Sequence, residues 1–448
     1  PPTPDRERCV TAAPRMDARA VALQALIACH RQGAWSDSML RSLLPRAGLD
    51  RRDAALASRL CYSVLQNELL LDWQLARFTK LDRLQPVILE ILRLAACQLL
   101  LLDKIPPSAA VNEAVKQAKR YANPGAAGLV NGVLRNLLRA LPLPEPEDLA
   151  TRYSHPAPLV ALLREACNSD AELEALLACD NTPAPLYLQC NTVRTTTQAL
   201  QAQLEEAGIA CQAHPWLPDC LTVTGAGDLA ALASYQAGLF YVQDPAAKLA
   251  VLCAGLRPGM RVLDCCAAPG GKSFAAAIAM ENTGSITSCD IHEKKANRIT
   301  QGAARMGLSA ISARALDARA PQPDWRGQMD AVLCDVPCSG LGVIRKKPDI
   351  RYKDLAQTER LPQLQRAILE NQAPYVRPGG VLLYSTCTIL PRENAGVMAA
   401  FLADHPEFFP EPLALPAGIA EDAPGMVTLL PHKHGTDGFY ICKLRRAL

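Results

Sequence analysis

From about residue 246 onward the chain alternates short apolar strands with helical stretches, and the strands end in aspartate. Candidate strands are Arg261–Cys266, Ser285–Ile291, Ser312–Leu316, Asp330–Val336 and Gly380–Cys387, with helices between them. That alternation predicts a parallel sheet with right-handed crossovers, an α/β fold. Met426–Leu430 and Gly438–Leu444 read as late strands with no helix between them, so an antiparallel edge is expected. In open α/β sheets, ligands bind beyond the carboxyl ends of the strands. Asp264, Asp290, Asp317 and Asp335 sit at those ends. Any one of them is explained as a structural cap. Four together point to a ligand site.

The first strand turns through Cys266, Ala267, Ala268, Pro269, Gly270, Gly271 and Lys272. Small residues and glycines let a ligand come close to the backbone. Neither GxGxxG nor GxxxxGK[ST] is present. A carboxylate at Asp290 is placed to accept both ribose hydroxyls of a nucleoside, and Asp317 to reach an adenine amine. Lys272 either caps the helix start or touches substrate.

Two cysteines stand out by context. Cys338 follows one strand end in Asp335-Val336-Pro337-Cys338-Ser339-Gly340, and Cys387 ends the next strand in Tyr384-Ser385-Thr386-Cys387-Thr388. Parallel strand ends open on one rim, so both thiols are expected to face one pocket. Beside a nucleoside-like site, that pair suits covalent catalysis on a pyrimidine. A thiolate adds to carbon 6 of cytosine, and the otherwise unreactive carbon 5 becomes an enamine carbon. A base must then remove the proton from carbon 5 to free the enzyme, and a second cysteine is a candidate. Asp335 is well placed to support ring nitrogen 3 as charge develops there.

The rest of the chain reads differently. Residues 17–140 show only helical patterns, and Leu141-Pro142-Leu143-Pro144-Glu145-Pro146 reads as a linker. Residues 150–245 mix strands such as Leu186–Asn191 and Leu221–Val223 with a helix over Thr197–Ala207. Net charge is about +5 over residues 1–150, −7 over 151–245 and +5 over 246–448, compatible with RNA contacts from both ends. Beside the rim, Arg345-Lys346-Lys347 is expected to contact phosphate. The 17 cysteines are scattered, with no CxxC pair and no zinc spacing, which fits reduced thiols in the cytoplasm and no metal. No run of 18 apolar residues marks a membrane span. Pro1–Arg15 lack the apolar core of a secretory signal and are expected to be a disordered tail.

The blocks at 264–272, 335–340 and 385–388, with Asp290 and Asp317 between them, resemble the signature segments of RNA 5-methylcytosine methyltransferases. Arg345–Arg351 and Pro391-Arg392-Glu393-Asn394 resemble further segments of that family. Arg59–Leu65, Ile105–Val115 and Gly128–Arg135 resemble a NusB-like RNA-binding domain, and Tyr241-Val242-Gln243-Asp244 resembles the motif that precedes the catalytic domain. The fusion is similar to that of the bacterial ribosomal RNA small-subunit methyltransferase B family.

The resemblance implies a class I S-adenosylmethionine-dependent, Rossmann-like domain over 246–448. Before it come an all-α NusB-like domain over 17–145 and a small α+β domain over 146–245, after a tail at 1–16. It implies that Cys387 is the nucleophile and that Cys338 assists release. It further implies that Cys266, Ala267, Ala268, Pro269, Gly270, Gly271 and Lys272, with Asp290, Asp317 and Asp335, contact S-adenosylmethionine. The implied target is position 967 of 16S ribosomal RNA, methylated by a monomer before or during small-subunit assembly. Val336, Cys265 and Arg392 replace the usual Ala, Leu and Glu; none removes a proposed catalytic group. Alternatives are the same chemistry on transfer RNA or another ribosomal position, or an inactive RNA-binding assembly factor. Methylation of an exocyclic amine is disfavoured, since such enzymes often carry an Asn/Asp-Pro-Pro-aromatic block, where this chain has Asp335-Val336-Pro337-Cys338.

Overall fold

The computed structural model describes residues 16–448; the expected N-terminal tail lies outside the described residues. The chain divides into two compact units.

The first unit, residues 1–157 with 347–351, is helical where described. Its longer helices are α1 (Ala18–Gln32), α2 (Ser36–Ala47), α3 (Arg51–Gln66), α4 (Glu68–Leu75), α5 (Pro86–Leu101), α6 (Pro107–Tyr121) and α7 (Pro124–Arg139). Local chemistry sets their ends. Asp17 and Asp50 accept the backbone N–H groups of Ala20 and Asp53, while Pro86, Pro107 and Pro124 occupy first turns where no N–H is needed. Gly33 closes α1 in the left-handed conformation. Leu23, Leu60, Val64, Ile91, Leu94, Val130 and Leu134 meet in one apolar core. The segment 347–351 is part of this unit. Arg351 is buried and donates to the carbonyls of Gln66, Tyr153 and Ser154, and Asp349 accepts from Ser36.

In the second unit, β1 (Leu186–Cys190), β2 (Ala210–Ala213), β3 (Cys220–Thr224) and β4 (Phe240–Val242) form an antiparallel sheet in the order β2-β3-β1-β4. Leu188, Leu221, Val223 and Phe240 pack against Leu200 and Leu204 of the helix Thr197–Glu206. The larger sheet holds β5 (Arg261–Asp264), β6 (Ser285–Asp290), β7 (Ile311–Ala315), β8 (Met329–Asp335), β9 (Val376–Thr386), β10 (Phe408–Pro410), β11 (Met426–Leu429) and β12 (Phe439–Arg446). Its order is β10-β12-β9-β8-β5-β6-β7, with β11 on β12. Strands β5 to β9 are parallel, and β12 lies antiparallel between β9 and both β10 and β11, so the expected antiparallel edge is present. The chain runs outward from β5 to β7 and then returns to lay β8 on the other side of β5. That reversal opens a crevice at the carboxyl ends of β5 and β8.

The first unit also carries a partly buried charge cluster. His30 lies 2.9 Å from Glu68 and 3.0 Å from Glu90, and Arg93 pairs with Glu68, Asp72 and Glu90. Burial opposes charge on the His30 ring, but the two carboxylates outweigh it and push its pKa up to about 10. A folded value above the unfolded one, about 6.5, gives stability that is full below pH 6.5 and is lost as pH rises toward 10. Thermal unfolding of His30→Gln from pH 6 to 10 is predicted to show a deficit of about 1–3 kcal/mol at pH 6. The deficit closes by pH 10; a deficit independent of pH contradicts the assignment.

Candidate active site

Register brings the rim residues together. Parallel pairing of β8 with β9 sets Asp335 opposite Ser385, whose hydroxyl donates to the Asp335 carboxylate at 2.9 Å. Cys387 follows two residues later, and Cys338 three residues beyond Asp335. Their sulfurs lie 3.4 Å apart, so the two thiols face one place although 49 positions separate them. On the other side of β9, Thr386 pairs with Tyr440, which puts Phe439 at the same end of the sheet.

Lys272 belongs to this group. It sits in the first turn of the helix Gly271–Ala279 and is buried, with Nζ 2.7 Å from Asp335 Oδ2 and 4.9 Å from the centre of the Phe439 ring. Burial opposes the ammonium charge, but Asp335 outweighs it and raises the pKa above the ordinary lysine value. The Lys272 side chain points at Asp335. Cys387 feels this environment. The hydrogen bond from Cys338 lowers its pKa, with help from Lys272, against the effect of burial. Cys338 moves the other way, raised by its bond to Cys387 and by burial. One thiol is therefore set to ionise and its neighbour to hold the proton.

The loop carrying Cys338 is held by a residue that sequence reasoning did not single out. Glu393, fully buried, accepts the Ser339 N–H at 2.9 Å and the Gln365 amide at 2.8 Å. Ser339 also donates to Thr388, and Asn394 bonds the Thr388 carbonyl and the Thr386 hydroxyl. The signal was present in Pro391-Arg392-Glu393-Asn394, where the unusual Arg392 drew the attention. Arg392 instead donates to Thr358.

The turn after β5 forms a cradle. Gly270 has φ +109°, and a Cβ there would lie 2.7 Å from the Phe274 ring; a Cβ on Gly271 would lie 2.9 Å from Gln243 Nε2. Cys266, Ala267, Ala268 and Pro269 lead into it, and Ala267 N–H is tied to the Cys289 carbonyl at 2.7 Å. Asp290 ends β6, with one carboxylate oxygen on the His292 N–H at 2.9 Å. Asp317 lies two residues past β7, and its carboxylate is gripped by Arg319, whose hydrogen bonds lower its pKa. Asp264 is sealed inside, accepting from Ser273 at 2.7 Å; burial pushes its pKa up to about 7. It is a structural acid, not a rim acid.

The basic run departs from expectation. Arg345 donates to the carbonyls of Thr182 and Pro183, and Lys346 pairs with Asp244 at 2.6 Å and Asp437 at 2.9 Å. Only Lys347 of the three is exposed; Arg345 and Lys346 are half-buried. Charge runs read from sequence carry no sign of the carboxylates that folding brings to them.

Residues 252–445 match the profile of the 16S rRNA methyltransferase RsmB/F family, residues 16–139 the NusB family, and residues 155–230 a ferredoxin-like domain of RsmF/B-like methyltransferases. Fold and site together define an rRNA methyltransferase that takes its methyl group from S-adenosylmethionine. A probable ribosomal RNA small subunit methyltransferase B of Bacillus subtilis is 37% identical, over 96% of this chain and 98% of its own. The ribosomal RNA small subunit methyltransferase B of Vibrio cholerae is 34% identical, over 96% and 98%. The crystal structure of PH0851 superposes with a TM-score of 0.80 at 26% identity, covering 95% of this chain and 98% of that one. The chain belongs to the ribosomal RNA small subunit methyltransferase B family.

The residues present fit S-adenosylmethionine. A glycine turn without room for side chains and an acid at the neighbouring strand tip suit a nucleoside, and the N-terminal N–H groups of a helix suit an anionic group such as a carboxylate of the same molecule. The thiol asymmetry predicts that iodoacetamide alkylates Cys387 ahead of Cys338 at pH 7, followed by peptide mapping. Lys272→Met is predicted to slow Cys387 alkylation about tenfold, the effect of one pKa unit. Equal labelling of the two thiols, or no change with Lys272→Met, contradicts the asymmetry.

Proposed function

We propose that this enzyme methylates carbon 5 of a cytosine, at position 967 of 16S ribosomal RNA, through a covalent bond between Cys387 and the base. The observation that carries the reading is the 3.4 Å pair of Cys338 and Cys387 beside the Lys272–Asp335 ion pair. Cys387, as thiolate, adds to carbon 6 and pushes electrons toward carbon 5. Asp335 and Lys272 are placed to meet the charge that develops at nitrogen 3. S-adenosylmethionine supplies the electrophilic methyl group when bound. Once Cys387 is bound to carbon 6 its sulfur bears no charge, so Cys338 gives its own proton to solvent and, as thiolate, takes the proton from carbon 5; the carbon 6–sulfur bond then breaks and Cys387 leaves as thiolate. Cys266, Ala267, Ala268, Pro269, Gly270, Gly271, Asp290 and Asp317 form the proposed cofactor site, Asp317 once its carboxylate parts from Arg319.

A stacked base must leave its helix to reach the thiols, or already lie in a loop. The helical unit supports the RNA reading through its NusB-family match. We read the domains as a tail at 1–16, an RNA-binding domain at 17–145, an α+β domain at 146–245 and a catalytic domain at 246–448. Action as a cytoplasmic monomer on RNA before or during small-subunit assembly completes the reading.

The test is methylation of unmodified small-subunit RNA with labelled S-adenosylmethionine, read as 5-methylcytosine by nucleoside mass spectrometry. Cys387→Ala is predicted to abolish product. Cys338→Ala is predicted to leave a protein–RNA adduct on a denaturing gel with turnover reduced about 10²-fold or more. Unimpaired methylation by Cys387→Ala removes it as nucleophile. No methylation by the wild type on any RNA favours an inactive assembly factor.

A further inference from the structure

Three loops meet behind Cys387, and an ion cluster fastens them. Gly342, in the loop after β8, donates its N–H to the Cys387 carbonyl at 3.0 Å, and Gly438 donates to the Gly342 carbonyl at 2.7 Å. The two glycines cross so closely that a Cβ on Gly342 would run into the Gly438 carbonyl oxygen. Both flanks are then tied. Lys346 Nζ bridges Asp244 and Asp437, and the Asp437 N–H reaches both Asp244 carboxylate oxygens at 3.2 Å. Asp244 itself caps the helix Pro245–Cys253 through the Ala246 N–H. The backbone of Cys387 thus rests on a crossing whose flanks are tied by the Lys346 ammonium group and by the Asp437 N–H.

We propose that Lys346 and Asp437 are positioning residues for the nucleophile: Lys346 clamps Asp437 to Asp244, and this clamp sets the place and the charge environment of Cys387. The inference rests on the proposed role of Cys387.

The cluster holds two carboxylates and one ammonium. The charged or titratable groups around Asp437 are Asp244 before its helix, Lys346 after β8, and Cys387 at the end of β9. The Tyr187 ring of β1 lies 5.9 Å from Lys346 Nζ. Burial and Asp244 push the Asp437 pKa up to about 7 against Lys346, and negative charge on Asp437 opposes ionisation of Cys387. Removing Asp437 should therefore ease ionisation of Cys387. Removing Lys346 lets Asp437 take up a proton and frees the crossing, so its effect falls on kcat rather than on a shift to higher pH.

The experiment uses the full chain. The pH profile of Cys387 alkylation by iodoacetamide is measured by peptide mapping, and kcat and KM for RNA are measured alongside. Asp437→Asn is expected to move the profile to lower pH by about half a pH unit, alkylating about threefold faster at pH 7. Lys346→Met is expected to lower kcat about tenfold or more with KM little changed. Lys346→Arg keeps the charge and restores most of kcat. No shift in Asp437→Asn, or an unchanged kcat in Lys346→Met, overturns the proposal. A raised KM with unchanged kcat in Lys346→Met also overturns it, and makes Lys346 a phosphate contact. The alkylation profile does not depend on methyl transfer. If Cys387→Ala retains activity, the nucleophile assignment fails separately.

Discussion

Two thiols 3.4 Å apart, largely removed from water, favour a single negative charge between them. The site decides which sulfur holds it. For Cys387 the hydrogen bond from Cys338 and the nearby Lys272 outweigh burial and the negative charges of Asp335 and Asp437, whereas Cys338 has its bond to Cys387, burial and Glu393 all acting against ionisation. The asymmetry depends on placement to within about an ångström, and the sheet provides that placement. Strand β8 pairs with β9 in the register that sets Asp335 beside Ser385, and the two cysteine loops leave the sheet from there.

Around that pair, the fold spends buried charge to hold loops. Glu393 pins the Cys338 loop, the Lys272–Asp335 pair closes the rim, and Lys346 joins Asp244 to Asp437. Such groups are costly to bury unless paired, and each is paired here with a segment distant in sequence. Loops held by such contacts need no regular secondary structure to keep a side chain in place.

How much of this the sequence shows depends on how local the signal is. Alternation of strand and helix patterns placed β5 to β9 and the late antiparallel strands; the signal is strongest in the buried apolar runs of β8 and β9 and weakest in the largely exposed β7. The meeting of Cys338 and Cys387 followed from parallel topology alone. The edge strands Ala210–Ala213, Phe240–Val242 and Phe408–Pro410 were missed because strands this short carry too little alternation. Helix Ser36–Ala47 was missed because Leu40, Leu43 and Ala47 make a thin buried stripe among polar residues. The ion clusters were illegible for a different reason: a lysine carries no mark of which distant carboxylate will meet it. Lys346 read as a phosphate contact, Glu393 stood out only as part of a family-like segment, and Asp437 drew no notice, although it lies between Gly435 and Gly438 ahead of a strand.

The most direct test of the account is to trap the bond between enzyme and base. Small-subunit RNA carrying 5-fluorocytidine at the target position would be incubated with wild-type enzyme and S-adenosylmethionine. Fluorine at carbon 5 cannot leave as a proton does, so the covalent complex persists after methyl transfer. The account predicts an RNA-linked, methylated adduct whose peptide map places the bond on Cys387. A bond on Cys338, or methyl transfer to unmodified RNA with no adduct on the fluorinated RNA it binds, would contradict it.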